Sequence, residues 1–300
     1  MQRNDLIRLI SLAAIWGASF LFIRIVAPVL GPLWTAEGRV AIAACALLVF
    51  MRLRGQSLDL RRYWVQYLIL GLLNSALPFV LYAVAALSIP SGYSAILNAT
   101  SPIWGALIGA ALLGEALTSR KWLGMALGII GVAFLVRLGP VQFNHDVLIA
   151  ALCCLGAAIC YGFAGAYTKL KANTLAPMQM AAGSQLGAAL LILPLLPLAP
   201  IRAEVTPFIL LIVVALALLC SALAYLLYFR LMTNVGPSKA LTVTFLIPLF
   251  ALLWGFLFLH EHIALTTLIG CAGVVAATWL VAGPQGKPRV PGATSGVTAK

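Results

Sequence analysis

The sequence predicts an all-α integral membrane protein, with ten transmembrane helices arranged as two inverted five-helix repeats. Two observations support this fold class: an apolar composition and an internal duplication. Of the 300 residues, 63% are hydrophobic and only 9% are charged, and the mean hydropathy is +1.07. A soluble fold of this size cannot bury so much apolar surface, whereas helices in a bilayer satisfy their backbone hydrogen bonds internally.

The predicted spans follow from the length that an apolar helix needs to cross a bilayer, about 20 residues. Stretches of this kind lie at 9–27, 33–51, 65–88, 92–113, 121–138, 147–168, 177–198, 207–232, 239–259 and 264–282. The first follows Arg3 and Arg8 and has no small-residue cleavage site, so we expect it to be retained as a helix. Residues 284–300 are rich in Pro, Gly, Ser and Thr, which predicts a disordered cytoplasmic tail.

The duplication is clearest where residues 97–137 are repeated from position 243 onwards. A gapless shift of 146 positions superposes Tyr82 on Tyr228, Pro102 on Pro248, Gly109 on Gly255, Glu115 on Glu261 and Gly124 on Gly270. We therefore divide the chain into a first five-helix repeat, residues 1–140, and a second, residues 141–283. Small-residue packing seams are expected at Gly124, Gly128, Gly131, Gly183, Gly187, Gly270 and Gly273.

The net charge of +12 is distributed unevenly over the expected loops. If the N-terminus is cytoplasmic, the loops on that side hold Arg52, Arg54, Arg61, Arg62, Arg120, Lys121, Lys169 and Lys171. This is the positive-inside bias of a membrane protein and not the footprint of nucleic-acid binding. Both termini are then cytoplasmic, and the second repeat enters the membrane from the opposite side because five is odd. Inverted repeats are typical of transporters that alternate access to a site near the midplane.

Polar and aromatic side chains gather on helix faces that are poorly suited to lipid. In the third span, for example, Asn74, Pro78 and Tyr82 are spaced four apart on one helical face. The expected substrate-binding residues are Trp16, Phe20, Asn74, Tyr82, Asn98, Trp104, Tyr161, Tyr225, Tyr228, Thr244 and Phe245. Such a lining suits neutral or zwitterionic, partly aromatic solutes. For Trp16 and Tyr161, each beside a glycine, plain helix packing is the alternative.

Two prolines, Pro102 and Pro248, fall near the middle of matched spans. Proline removes a backbone hydrogen bond and clashes with the preceding turn, so each helix should kink or loosen there. We expect a hinge role for both; the alternative is that they only shape the packing.

Charged residues inside the spans are Arg24, Glu37 and Arg39, all expected close to one interface. Intramembrane charge is by default a functional hypothesis, but at that depth a structural ion pair or snorkelling is favoured. Glu115 and Glu261 lie in turns at span ends, where each is expected to cap the helix that follows. No ionisable residue is expected near the midplane. The sequence therefore predicts neither a proton relay nor a fixed charge for an ionic substrate.

Other functions lack their motifs. The chain has no GxxxxGK[ST] loop for a nucleotide, and His145, His260 and His262 fall in expected outer loops, so an intramembrane enzyme is poorly supported. The six cysteines lie inside the spans, where buried, unpaired thiols are expected. No cofactor and no metal are predicted. The predicted partners are a small-molecule substrate and the lipid bilayer, with no nucleic acid, for a monomer or homodimer.

The ordered motifs resemble one family. W-G-x-S-F in the first span, Arg39 in the second, P-I-W-G-A-L in the fourth and L-G-E-A-L at its end resemble the drug/metabolite transporter superfamily in its ten-helix EamA branch. The resemblance covers about residues 9–282 and implies export of small metabolites, commonly amino acids, from the bacterial inner membrane. The chain looks most similar to the aromatic amino-acid exporters of that branch. It departs from the family pattern at His260-Glu261-His262 and at Ser184, which replaces the arginine in the second repeat.

Alternatives from other classes remain open. One is a broad-specificity exporter of apolar or aromatic drugs and metabolites, and another is a channel-like facilitator. A membrane scaffold would need a larger ordered surface outside the bilayer than loops this short supply.

Overall fold

A computed structural model describes residues 2–138, 142, 144–235 and 243–282. The uninterrupted helices are α1 (Arg3–Leu30), α2 (Pro32–Leu53), α5 (Ser119–Leu138), α6 (His145–Lys171), α9 (Val243–Leu259) and α10 (Leu265–Ala282). Helix α3 comprises Leu60–Gly71, a π-helical turn Leu72–Ala76, and Leu77–Ala85; α4 comprises α4a (Ser91–Asn98) and α4b (Ser101–Leu113). Helix α7 is Pro177–Ile192 with a 3₁₀ turn Leu193–Leu198, and α8 is Pro207–Ala217, a π-helical turn Leu218–Leu223, and Ala224–Val235.

The multi-pass helical membrane class is confirmed for the described part of the chain. Seven helices there are long and apolar enough to cross a bilayer: α1, α2, α3, α4, α6, α7 and α8. Helices α9 and α10 are shorter apolar helices. The predicted tail 284–300 and the start of the ninth predicted span, 239–242, lie outside the described residues.

The outer surface of the helices carries large apolar side chains, including Leu53, Ile129, Leu211 and Phe258. Such a surface would promote aggregation in water, whereas in a bilayer it meets lipid tails. Cys45 is exposed on this surface, so its expected burial is wrong. A sequence position inside a span fixes its depth but not whether it faces protein or lipid.

The largest helix contacts join the two halves of the chain: α1 packs on α9, α3 on α6 and α7, α2 on α7, and α5 on α10. The predicted glycine seams lie within these contacts. A Cβ atom on Gly131 would stand 3.1 Å from the Val274 backbone nitrogen, and one on Gly187 would overlap the Tyr67 backbone. These glycines therefore let neighbouring helices of one chain approach closely.

The two predicted proline kinks turn out differently. Helix α4 is interrupted at Ala99 and Thr100, and Pro102 is the second residue of α4b. Helix α9 continues through Pro248 without a break, so the interruption seen in α4 is not repeated there. In α4 the Thr100 hydroxyl donates to the Leu97 carbonyl over 2.7 Å and competes with the helical backbone. The equivalent position of α9 is Leu246, which has no hydroxyl.

Candidate functional site

A cavity of about 570 Å³ lies among α1, α2, α3, α4, α6, α8 and α9. Pockets for small ligands typically have volumes of roughly 300–1,000 Å³. The expected substrate-binding residues that line it are Trp16, Phe20, Asn74, Tyr82, Asn98, Tyr161, Tyr225, Tyr228 and Thr244. Pro102 also lines the cavity.

The remaining two expected residues, Trp104 and Phe245, are not part of the cavity lining. Each directly neighbours a residue that is, Gly105 and Thr244 respectively. Successive residues of a helix point about 100° apart, because 3.6 residues make a turn. Hydrophobicity and spacing alone did not settle which of two neighbours faces inward.

Seven aromatic residues line the cavity: Trp16, Phe20, Phe79, Tyr82, Tyr161, Tyr225 and Tyr228. The Phe20 and Tyr82 rings meet edge to face with centroids 5.4 Å apart, and Tyr82 stacks on Tyr161 at 6.4 Å. The Trp16 and Tyr228 rings, which also line the cavity, have centroids 5.5 Å apart. Rings in these arrangements offer a large apolar surface with polar handles at the edge. The wall can therefore hold an apolar or aromatic body.

Polar groups are positioned by short-range contacts and by the irregular turns. The Tyr82 hydroxyl donates to Asn98 Oδ1 over 2.7 Å, and Ser101 Oγ donates to the Asn98 carbonyl over 2.6 Å. Among the described residues the Asn98 Nδ2 has no hydrogen-bond partner, so it can donate into the cavity. Asn74, in the π-helical turn of α3, donates to the Tyr225 hydroxyl over 3.3 Å. π-Helical turns frequently mark functional sites.

A structural ion pair or snorkelling was expected for Arg24, Glu37 and Arg39, and within the described residues these three form no ion pair with one another. Arg24 donates to the carbonyl of Ala86, and Glu37 is buried with no partner for Oε2 in the described part of the chain. Arg39 lines the cavity, which corrects the expectation that the lining has no fixed charge. Its Nε donates to Ser221 Oγ over 3.0 Å.

Charged residues also mark one end of the cavity, where Glu115, Lys121 and Lys169 form part of the lining. Lys169 Nζ lies 2.6 Å from Glu115 Oε1, and this hydrogen bond holds the pKa of Glu115 below its usual value. Both side chains are partly exposed, so this end is the mouth of the cavity. Glu115 was expected to cap the following helix, α5. It pairs instead with Lys169 of α6.

Glu261, at the far end of α9, also departs from its expected role. Its carboxylate accepts hydrogen bonds from Ser91 N over 2.9 Å and from Ser91 Oγ over 2.8 Å. Ser91 begins α4a, so the acidic charge meets the positive end of a helix dipole, as predicted, but of α4a and not of α10. This contact ties the two halves of the chain together away from the mouth.

The family of the chain follows from comparison with known proteins. The model of the EamA-like transporter family matches residues 6–137 and again residues 148–283, so the chain belongs to this family. Transport across a membrane, and not enzymatic turnover, is what the family does.

Several proteins are similar to the chain over most of its length, and two of the three named here are described as transporters. The uncharacterized inner membrane transporter YedA of Escherichia coli K12 is 30% identical over 82% of this chain and 80% of its own length. The uncharacterized transporter YoaV of Bacillus subtilis is 25% identical over 90% of this chain and 95% of its own. Protein PecM of Dickeya dadantii is 29% identical over 89% and 88%. One crystal structure aligns with a TM-score of 0.65 at 19% identity, covering 93% of this chain and 96% of that one, which shows a shared fold.

Proposed function

We propose that this protein is a secondary transporter that exports small neutral or zwitterionic metabolites, most of all amino acids including aromatic ones. Transport occurs by alternating access through the cavity between the two repeats. The observation that carries the proposal is the cavity of about 570 Å³, with rings and amides in its wall and charges at one mouth. An apolar wall with few polar groups is the usual composition of a small-molecule site.

An internal repeat, 1–140 and 141–283, is supported by local geometry that recurs in both halves. The π-helical turns Leu72–Ala76 and Leu218–Leu223 begin 146 positions apart. The backbone N–H of Glu115 donates to Gly109 over 3.3 Å, and that of Glu261 donates to Gly255 over 3.1 Å. We propose that all ten helices cross the membrane, so that the second repeat is inverted relative to the first.

The position of the mouth supports a proposed orientation in the membrane. The lysines at the mouth belong to the same loops as the cationic clusters that predict the cytoplasmic side. We propose a bacterial inner membrane location with both termini and the mouth in the cytoplasm. Single-cysteine labelling of the 54–59 loop in whole cells tests this, and labelling by a membrane-impermeant reagent from outside would overturn it.

The function is tested with liposomes that contain only the purified protein. Labelled phenylalanine should exchange against internal phenylalanine, leucine or tyrosine, and the flux should saturate. Phe20→Ala removes a ring from the wall and should raise the half-saturation concentration, whereas Phe258→Ala, on the lipid-facing surface, should leave it unchanged. Flux that neither saturates nor exchanges would instead indicate a channel-like facilitator. Equal competition by apolar compounds of every charge type would favour the broad-specificity exporter, which the aromatic wall also accommodates.

A further inference from the structure

Arg39 is a buried cation that is held rigidly at the cavity. Only 6% of its surface is exposed. Its Nε is fixed by Ser221, and its guanidinium carbon lies 3.7 Å above the centre of the Phe79 ring. A guanidinium stacked on an aromatic face keeps its edges available for hydrogen bonds. The chain therefore orients this side chain from two other helices, α8 and α3.

The positive charge has no counter-ion among the described residues. The ion pairs there are Arg8 with Asp5 and Lys169 with Glu115. Glu37 is two positions away on the same helix, and residues i and i+2 do not face each other; its carboxylate is also not part of the cavity lining. An unpaired charge away from water is costly, so its retention beside a cavity calls for a partner that arrives with the substrate.

We propose that Arg39 binds the carboxylate of the transported solute, so that the cavity selects molecules with a carboxylate attached to an apolar or aromatic body. This inference rests on the proposed function and names its substrate class. With Nε engaged by Ser221, the two terminal nitrogens of the guanidinium still have four N–H groups, enough for a bidentate contact with a carboxylate. Tyr161 and Tyr225 line the same cavity as Arg39 and can supply ring surface for the body of such a solute.

Charge balance favours one carboxylate over other anions and excludes cations. Arg39 is the only ionisable cation of the described lining that is remote from the mouth, where the two lysines lie. A single positive charge neutralises one carboxylate but leaves a phosphate dianion half compensated. A cationic drug would meet repulsion in a medium of low dielectric constant. The α-amino group of an amino acid can instead approach Asn98 Oδ1 or a tyrosine hydroxyl.

The first experiment varies the ligand and leaves the protein intact. In proteoliposomes, unlabelled phenylalanine and 3-phenylpropionate should inhibit labelled phenylalanine exchange, whereas phenethylamine and phenylalaninamide should do so about 10- to 100-fold more weakly. This range corresponds to the loss of a charge-assisted hydrogen bond. Inhibition by phenethylamine equal to that by phenylalanine would overturn the inference and leave the proposed transport function standing.

The second experiment varies the arginine. Arg39→Gln should abolish the preference for carboxylates, and Arg39→Lys should keep the preference at lower affinity because the charge remains but the planar fork is lost. Arg24→Gln is the matched control, since Arg24 binds a backbone carbonyl and is not part of the cavity lining. An unchanged preference in Arg39→Gln would refute the assignment.

Thermal stabilisation of the purified protein gives a readout that does not require flux. 3-Phenylpropionate should raise the melting temperature of the wild type and of Arg24→Gln but not of Arg39→Gln. This result without any amino-acid exchange would support the carboxylate site and refute the proposed function. If phenylalanine exchanges but 3-phenylpropionate stabilises Arg39→Gln as much as the wild type, the proposed function is supported and the carboxylate site at Arg39 is refuted.

Discussion

Asn98 combines two roles in one side chain. Its Oδ1 accepts from the Tyr82 hydroxyl, and the residue lines the cavity, where its amide can also meet a solute. We expect Asn98→Ala to weaken solute binding more than Thr244→Ala, because an amide is both donor and acceptor and its loss also releases Tyr82. The expected difference is about 1 kcal/mol, or several-fold in half-saturation concentration. Exchange assays on both variants measure it, and a larger effect of Thr244→Ala would contradict the assigned role of Asn98.

The Glu115–Lys169 pair at the mouth predicts a small pH dependence of stability. The pKa of Glu115 is lower in the folded protein than in the unfolded chain, because Lys169 donates to its carboxylate. The stabilisation is therefore complete above the unfolded pKa of about 4.3 and is lost as the pH falls through the lower folded value. Since both side chains are partly exposed, it amounts to roughly 0–1 kcal/mol.

Melting of the wild type and of Glu115→Gln over a range of pH tests this dependence. The difference between the two should be constant near neutral pH and should vanish in acid. A difference that grows as the pH falls would mean that the carboxylate is stabilised in its protonated form.

At the residue scale, the sequence pointed to many of the residues that line the cavity but not to their rotation or their partners. Tyr82 and Tyr228 were predicted because they occupy matched positions of the repeat. Both line the cavity. Arg39 was expected to have a structural role because of its predicted depth near the interface, whereas its side chain contacts Ser221, which lies 182 positions away. Nothing in the linear pattern shows that these two side chains meet. The same holds for Glu261, whose partner Ser91 belongs to the other repeat.

At the scale of helices, the repeated glycine and glutamate form one structural unit. In each repeat the chain leaves a helix, and the N–H of the glutamate returns to the carbonyl of a glycine six positions earlier. A Cβ on Gly109 would stand 2.9 Å from Glu115 Oε2, and a Cβ on Gly255 would overlap the Glu261 carboxylate. The glycine therefore makes room for the carboxylate, which explains why the two residues recur together.

This unit predicts a non-additive pair of substitutions. Gly255→Ala should displace the Glu261 carboxylate from Ser91 and cost about 1–3 kcal/mol, and Glu261→Ala should cost about 1.5–3 kcal/mol. Because both break the same contact, the double variant should lose less than the sum. Gly165→Ala, with open space at its Cβ, is the control and should be neutral or slightly stabilising. Additive losses would show that the glycine and the carboxylate act independently.

The break in α4 predicts a second helix-scale effect. In Pro102→Ala the new N–H can donate to the Asn98 carbonyl, which now accepts from Ser101, and the two halves of α4 can then join. Pro248→Ala removes a proline from a continuous helix, where proline costs about 3 kcal/mol relative to alanine. We expect transport to slow in both variants with folding retained, and more in Pro102→Ala because α4 is already open there.

Exchange rates and melting temperatures, measured together, separate motion from stability for these two variants. Pro248→Ala should melt at a higher temperature than the wild type. Wild-type exchange rates in both variants would mean that the prolines only shape the packing and that the hinge role is wrong.

For the whole molecule, the described cavity lining carries charged residues at the mouth, and the contact between Glu261 and Ser91 joins the two halves of the chain at the opposite end. Under the proposed alternating access, this arrangement would correspond to one of the two states of the transporter. Composition and duplication were enough to predict the membrane class, because both are properties of the entire chain. Which end of the cavity is open could not be predicted. It depends on contacts between the two halves of the chain, such as that of Glu261 with Ser91, and the sequence does not show which residues of the two halves meet.

The final prediction is that transport proceeds without a tightly coupled proton. A relay needs carboxylates or histidines along the pathway, and the cavity lining described here contains only Glu115, at the mouth and paired with Lys169. At a fixed gradient of phenylalanine across proteoliposomes, imposing a pH gradient should leave the flux unchanged and should not drive accumulation. If a pH gradient does drive accumulation, Glu37 is the first residue to examine, because its buried Oε2 has no partner in the described part of the chain. Accumulation driven by pH alone, and lost in Glu37→Gln, would show that this carboxyl carries a proton and that the uncoupled mechanism is wrong.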